Sequence, residues 1–175
     1  MRTRGTSTSG TLLALSALVG LSGCPPCATH AVLFSEDFEG CGGTCGWEVG
    51  GGQGELVSTV HPAEHGLQLT GQQVTARREV SIALSDIRDS LLDVSLTSTC
   101  RAAYLTLELQ WEGGETEALP LSDDGAGRSS LYGVLAGEKR IGRPPGSVIR
   151  AVVIKTASGC VLDRVLLFHD QGGGC

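Results

Sequence analysis

The stretch "AAYLTLELQW", residues 102–111, puts Leu105, Leu107, Leu109 and Trp111 on every second position. A period of two sends all four side chains to one face of a strand, and no helix does that. The pattern recurs along the chain. Val80, Ile82 and Leu84 alternate in "EVSIALS", and Leu92, Val94 and Leu96 in "LLDVSLTSTC". Val32, Phe34 and Phe38 read the same way in "AVLFSEDFE", with Leu119 and Leu121 further on. "SVIRAVVIKTAS" and "CVLDRVLLF" are more continuously apolar, as strands covered on both faces are. "ELVSTV", "HGLQLT" and "SSLYGVLAG" complete the set. Between them lie "GGGQGE", "WEGGET", "SDDGAGR" and "RPPGS", all turn chemistry. Some ten short strands punctuated in this way predict an all-β sandwich of two antiparallel sheets, spanning residues 31–170 and followed by a tail at 171–175. "GGGQG" precedes a strand rather than a helix, which argues for a loop and against a phosphate cradle.

The first 23 residues do not belong to that sandwich. Arg2 and Arg4 precede "TLLALSALVGL", an apolar run of 11 residues. A charged start followed by a short apolar run is the pattern of an export signal. It is too short to span a bilayer, which takes about 20 apolar residues. Leu21-Ser22-Gly23-Cys24 then resembles the lipobox of bacterial lipoproteins. The resemblance implies cleavage before Cys24, diacylglycerol on its sulfur, and a short tether over residues 24–30. Pro25, directly after the lipidated position, lacks the Asp that commonly retains such proteins in the inner membrane, so the outer membrane is expected.

Cysteine parity agrees. Seven cysteines are an odd number. With Cys24 assigned to lipid, Cys27, Cys41, Cys45, Cys100, Cys160 and Cys175 form an even set suited to an oxidising compartment. Cys41 and Cys45 share a glycine-rich loop and are expected to pair. Cys100 ends one strand and Cys160 begins another, while Cys27 and Cys175 lie near the two ends of the mature chain. The expected pairs are therefore 41–45, 100–160 and 27–175. Cys24-Pro25-Pro26-Cys27 is read as accidental, since it lacks the strand and helix that flank a redox C-x-x-C.

Without Arg2 and Arg4, the 13 basic residues become 11 against 19 acidic, a net charge of −8. That balance excludes nucleic acid as a partner and leaves attachment to the membrane to the lipid. The four histidines, His30, His61, His65 and His169, sit in no nucleophile or zinc signature, and no enzyme is expected.

"LFSEDFEGCGGTCGWEVGGG", "HPAEHGLQLTG" and "GCVLDRVLLF" together resemble jelly-roll domains of the galactose-binding-like kind, such as carbohydrate-binding modules and MAM-type adhesion domains. Two departures stand out: Cys41 follows "DFE" instead of preceding it, and Arg164 replaces the second acid of the final strand. The resemblance implies that Glu39 and Asp163 hold a structural Ca²⁺ between the first and last strands, helped by backbone carbonyls near "EHG". Strand spacing places Asp163 on a face with Val161, Val165 and Leu167. The alternative is an Asp163 satisfied by backbone N–H groups or an arginine. Family likeness also points to sugars, which need exposed aromatic rings. Trp111, Phe34 and Phe38 read as core, so Tyr104 and Tyr132 are the candidate ligand-binding aromatics. That supply is thin. The primary expectation is a structural or interaction domain bound to an envelope protein; the alternative is a carbohydrate-binding module docked on a surface glycan.

Overall fold

The computed structural model describes residues 30–59, 65–84, 91–123, 133–144 and 146–170. Cys24, Cys27, Cys175, His61 and Tyr132, the signal segment, the tether up to residue 29 and the tail lie outside the described residues.

Among the described residues ten strands form: β1 His30–Glu36, β2 Trp47–Ser58, β3 His65–Ala83, β4 Leu91–Ser98, β5 Leu105–Trp111, β6 Thr116–Leu119, β7 Ser122–Asp123, β8 Gly133–Arg140, β9 Val148–Thr156 and β10 Cys160–Asp170. A 3-10 turn, Ala102–Tyr104, precedes β5. All pairings are antiparallel, and the order is β6-β5-β9-β3-β10-β4-β8-β7, with β1 beside β10 and β2 beside β3. The expected all-β jelly roll is what forms. Its two layers, however, are one hydrogen-bonded sheet curled over a single core, not two separate sheets.

Strand β3 makes that connection. "HGLQLT" and "EVSIALS", expected as separate strands, are the two ends of one 19-residue strand. Its first part pairs with β10 through Leu67 and Leu69, and its second part pairs with β9 from Val74 to Ala83. β2 follows it from Ser58 opposite His65 to Trp47 opposite Arg78. The ribbon bends at a register shift between Gly50 and Gly52. Glycine is required there. Gly51 has φ +75°, and a Cβ on Gly52 would lie 2.3 Å from the carbonyl oxygen of Thr70. "GGGQG" is therefore a bulged strand interior, and the loop reading is corrected. Glycine in a strand marks such a bend or a close approach of two backbones.

The alternating residues build the core as expected. Leu105, Leu107, Leu109 and Trp111, with Leu92, Val94 and Leu96, are all buried. β1 departs from its expected phase. A register shift between Val32 and Phe34 leaves Val32 58% exposed and half-buries Phe34. Phe38 lies beyond the strand at φ +59° yet is fully buried, packed against Trp47 at 6.2 Å between ring centroids.

β9 is buried on both faces from Ala151 to Ile154. The inner face packs against the core. On the outer face, Arg77 of β3 donates to Gln110 of β5 at 3.4 Å, spanning β9 over Ala151 and Val153. The second cover is thus a polar bridge. Glu79, by a hydrogen bond of 3.0 Å, holds the Arg77 guanidinium above its ordinary pKa; partial desolvation opposes this, while the charges of Glu79 and Glu48 add to it.

Both described disulfides match expectation, Cys41–Cys45 and Cys100–Cys160. The second ties the end of β4 to the start of β10. Beside it, Val161 N–H donates to the Thr99 hydroxyl and Thr99 N–H to the Val161 carbonyl.

Candidate functional site

The larger candidate site is a hollow of about 460 Å³ at one end of the β3-β9-β5 layer. Strand register builds it. Thr75, Lys155 and Thr106 are direct cross-strand partners, so their side chains form one row on the outer face. Such neighbours stand about 5 Å apart. Above the row, the turn at Ala102–Tyr104 brings Tyr104 to the rim, where it is 54% exposed. Its backbone is fixed at both groups: Tyr104 N–H donates to the Arg101 carbonyl, and Ala157 N–H donates to the Tyr104 carbonyl at 2.9 Å. The ring is an exposed aromatic on a rigid mount. Gln73 and Ala157 close the sides. The hollow falls in the size range of small-molecule sites, about 300–1,000 Å³. It joins an aromatic wall to hydroxyl, amide and ammonium groups, a set that can stack on and hydrogen-bond a polyhydroxylated ring.

Of the two candidate aromatics, the structure therefore places Tyr104 at a hollow, while Tyr132 lies outside the described residues. Sequence reasoning missed Thr75, Thr106 and Lys155. Their only signal is that each faces away from the apolar positions of its strand. Nothing in the chain order shows that they share a row.

A second, smaller hollow of about 60 Å³ is lined by Asp37, Glu39, Asp163 and Arg164. Glu39 and Asp163 are thus brought together, and Asp37 joins them. The route there differs from the expected one. A register shift between Leu162 and Arg164 puts Asp163 at a bulge, where it is half-buried. Leu162 faces the core before the bulge; Val165 and Leu167 do so after it. Asp163 does not share an apolar face with Val161, Val165 and Leu167, because one extra residue inverts the alternation. Glu39 also has a partner other than those expected: His65 donates its backbone N–H to Oε1 and sets Nδ1 3.1 Å from Oε2. Three carboxylates around one hollow form a hard-oxygen donor set of the kind Ca²⁺ takes, and a carboxylate keeps lone pairs for a metal after accepting two hydrogen bonds. The Arg164 side chain shares the hollow, and the three carboxylates are not gathered within one ion's reach; an ion that drew them together would tie the segment after β1 to β10. Glu36, Cys41 and Cys45 also cluster, but both sulfurs are in the disulfide and offer no thiolate.

Of the histidines, His30 opens β1, His65 makes the contact above and His169 is buried at the end of β10. Neither His65 nor His169 lines the larger hollow.

No protein-family model and no curated protein matches the sequence. Solved structures do match. The CBM22-1 xylan-binding domain of Paenibacillus barcinonensis Xyn10C superposes with a TM-score of 0.53 at 17% identity, covering 82% of this chain and 97% of that one. The CBM22-1-CBM22-2 tandem domain of the same Xyn10C gives 0.54 at 16% identity, covering 87% of this chain and 49% of that one. The likeness is one of fold. This chain shares the β-sandwich architecture of these domains, a fold its sequence resemblance implied.

Proposed function

We propose that the domain is a non-catalytic carbohydrate-binding module, carried on an exported chain anchored by lipid at Cys24. The carrying observation is Tyr104, an exposed ring on a fixed backbone, walling a hollow floored by Thr75, Lys155 and Thr106. A fold shared with a xylan-binding domain supports the reading. The alternative drawn from sequence thereby takes precedence over the purely structural role, for which a hollow with an aromatic rim has no use. The lipobox supports the anchor, and the mass of the processed amino terminus checks it.

Binding of the full chain, in detergent, to a panel of oligosaccharides that includes xylo-oligosaccharides tests the function. Tyr104→Ala is expected to weaken binding about tenfold, or about 1.4 kcal/mol, the scale of one lost stacking contact. Tyr104→Phe keeps the ring and should retain most of the affinity. An unchanged affinity in Tyr104→Ala, or no glycan bound by the parent chain, would overturn the reading.

The acidic hollow serves this module as a structural Ca²⁺ site held by Asp37, Glu39 and Asp163. Because the ion binds only the folded form, saturating Ca²⁺ should stabilise by about 2.7 kcal/mol at one hundred times Kd. Chelation should lower Tm, and Asp163→Asn should remove most of the response. Identical melting of the parent chain with Ca²⁺ and with chelator would refute the site.

A further inference from the structure

The chain carries 19 acidic against 13 basic residues, yet among the described residues no acid lines the Tyr104 hollow, and Lys155 is the one charged residue in its wall. Lys155 is half-exposed, with Nζ 2.7 Å from Oε1 of Glu108. Glu108 stands two residues beyond Thr106 on the same face of β5, and its side chain is only 17% exposed. The carboxylate pairs with the ammonium, and Glu108 is not itself among the described residues that line the hollow. An ammonium has three donors, and this pair uses one. Two donors remain, and Thr75 and Thr106 are the cross-strand neighbours of Lys155 in the adjacent strands.

We propose that this hollow selects a sugar bearing a carboxylate, a hexuronic acid unit, with Lys155 as the cation that receives it. The inference rests on the glycan reading and deepens it. A carboxylate is an acceptor-only group with two oxygens, and the row Thr75–Lys155–Thr106 is a line of donors. A neutral sugar would use the Tyr104 ring and the hydroxyls but leave two ammonium donors to water. A uronic acid uses them as well. The exposure of Lys155 bounds the gain: ion pairs at this degree of exposure are worth up to about 1 kcal/mol, roughly fivefold.

The test compares, on the full chain, one oligosaccharide carrying a hexuronic acid with the same oligosaccharide after its carboxyl group is reduced to the primary alcohol. The acid form is expected to bind about fivefold tighter at low salt, with the ratio shrinking as salt screens the pair. Lys155→Met should bring the ratio close to one, and Lys155→Arg should preserve a ratio above one. Glu108→Gln keeps the shape beside Lys155 and removes the negative charge that competes for it, so it should leave the preference intact or raise it; it serves as the readout if Lys155→Met does not fold. Equal affinity of the parent chain for acid and alcohol overturns the inference while leaving the glycan reading in place. A preference that survives Lys155→Met overturns the assignment to Lys155, as does a preference lost in Glu108→Gln. Binding of neither sugar, together with an empty glycan panel, brings down the glycan reading itself.

Discussion

Replacing Cys100 and Cys160 together by alanine is expected to destabilise the domain by about 4 kcal/mol, about twice the loss from removing Cys41 and Cys45. The difference follows from loop length. The Cys100–Cys160 bond spans a sequence separation of 60, and the Cys41–Cys45 bond a separation of 4. In the chain-entropy account, closing the long loop removes about 4 kcal/mol of disorder from the unfolded state, and closing the short one about 2. The long loop contains β5 through β9, which are three strands of the layer that β3 completes and the β7-β8 edge of the other. Without the bond, these strands must be gathered from a chain tied only by its own pairings. Urea unfolding of the two double variants measures both losses. Equal losses would show that local strain or solvation, not loop entropy, controls the effect.

The sequence made the strands legible because burying one face of a strand imposes an alternation that can be counted. Leu105, Leu107, Leu109 and Trp111 are buried for the reason their spacing gives. The failures cluster where one residue is inserted. At Asp163 and near Leu33 a bulge inverts the alternation, and period two then reads the wrong face on one side of it. No residue type announces those insertions. The candidate site was legible in fragments. Tyr104 was found because a protein with few aromatics makes each one conspicuous, and Glu39 and Asp163 because a family resemblance paired them. Lys155, Thr75 and Thr106 could not be grouped, since 31 residues separate Thr75 from Thr106 and a further 49 lead to Lys155. Their common row is a product of register, which long-range pairing sets. A similar limit applied to the β3 ribbon: "HGLQLT" and "EVSIALS" looked like two strands because polar Gln72 and Gln73 lie between them. The bend at that point, with Gln73 at φ +57° and Gly71 at φ +139°, is where one strand passes from one layer to the other.

Gly52→Ala should destabilise the protein by about 3 kcal/mol, the upper end of what overpacking a well-filled site costs. A methyl group there would meet the Thr70 carbonyl oxygen at 2.3 Å and a Val74 methyl at 2.7 Å. The oxygen belongs to the backbone of β3, so no side-chain rotation relieves the contact; the two strands must separate. They separate where the β2-β3 ribbon turns between layers, and the pairing of β3 with β10 on one side and β9 on the other depends on that turn. Gly50 is the control. It lies two residues away in the same run, and a Cβ there would meet nothing within 4 Å. Its φ is not among the positive values, so alanine suits its backbone. Gly50→Ala also narrows the unfolded ensemble, an effect worth about 0.4–1 kcal/mol in favour of folding. The two substitutions are chemically identical and should differ in sign. Denaturant midpoints of both variants, read against the parent chain, decide the matter. If Gly52→Ala unfolds at the same midpoint as Gly50→Ala, the ribbon has room at Gly52, and closure of the two layers does not rest on that approach.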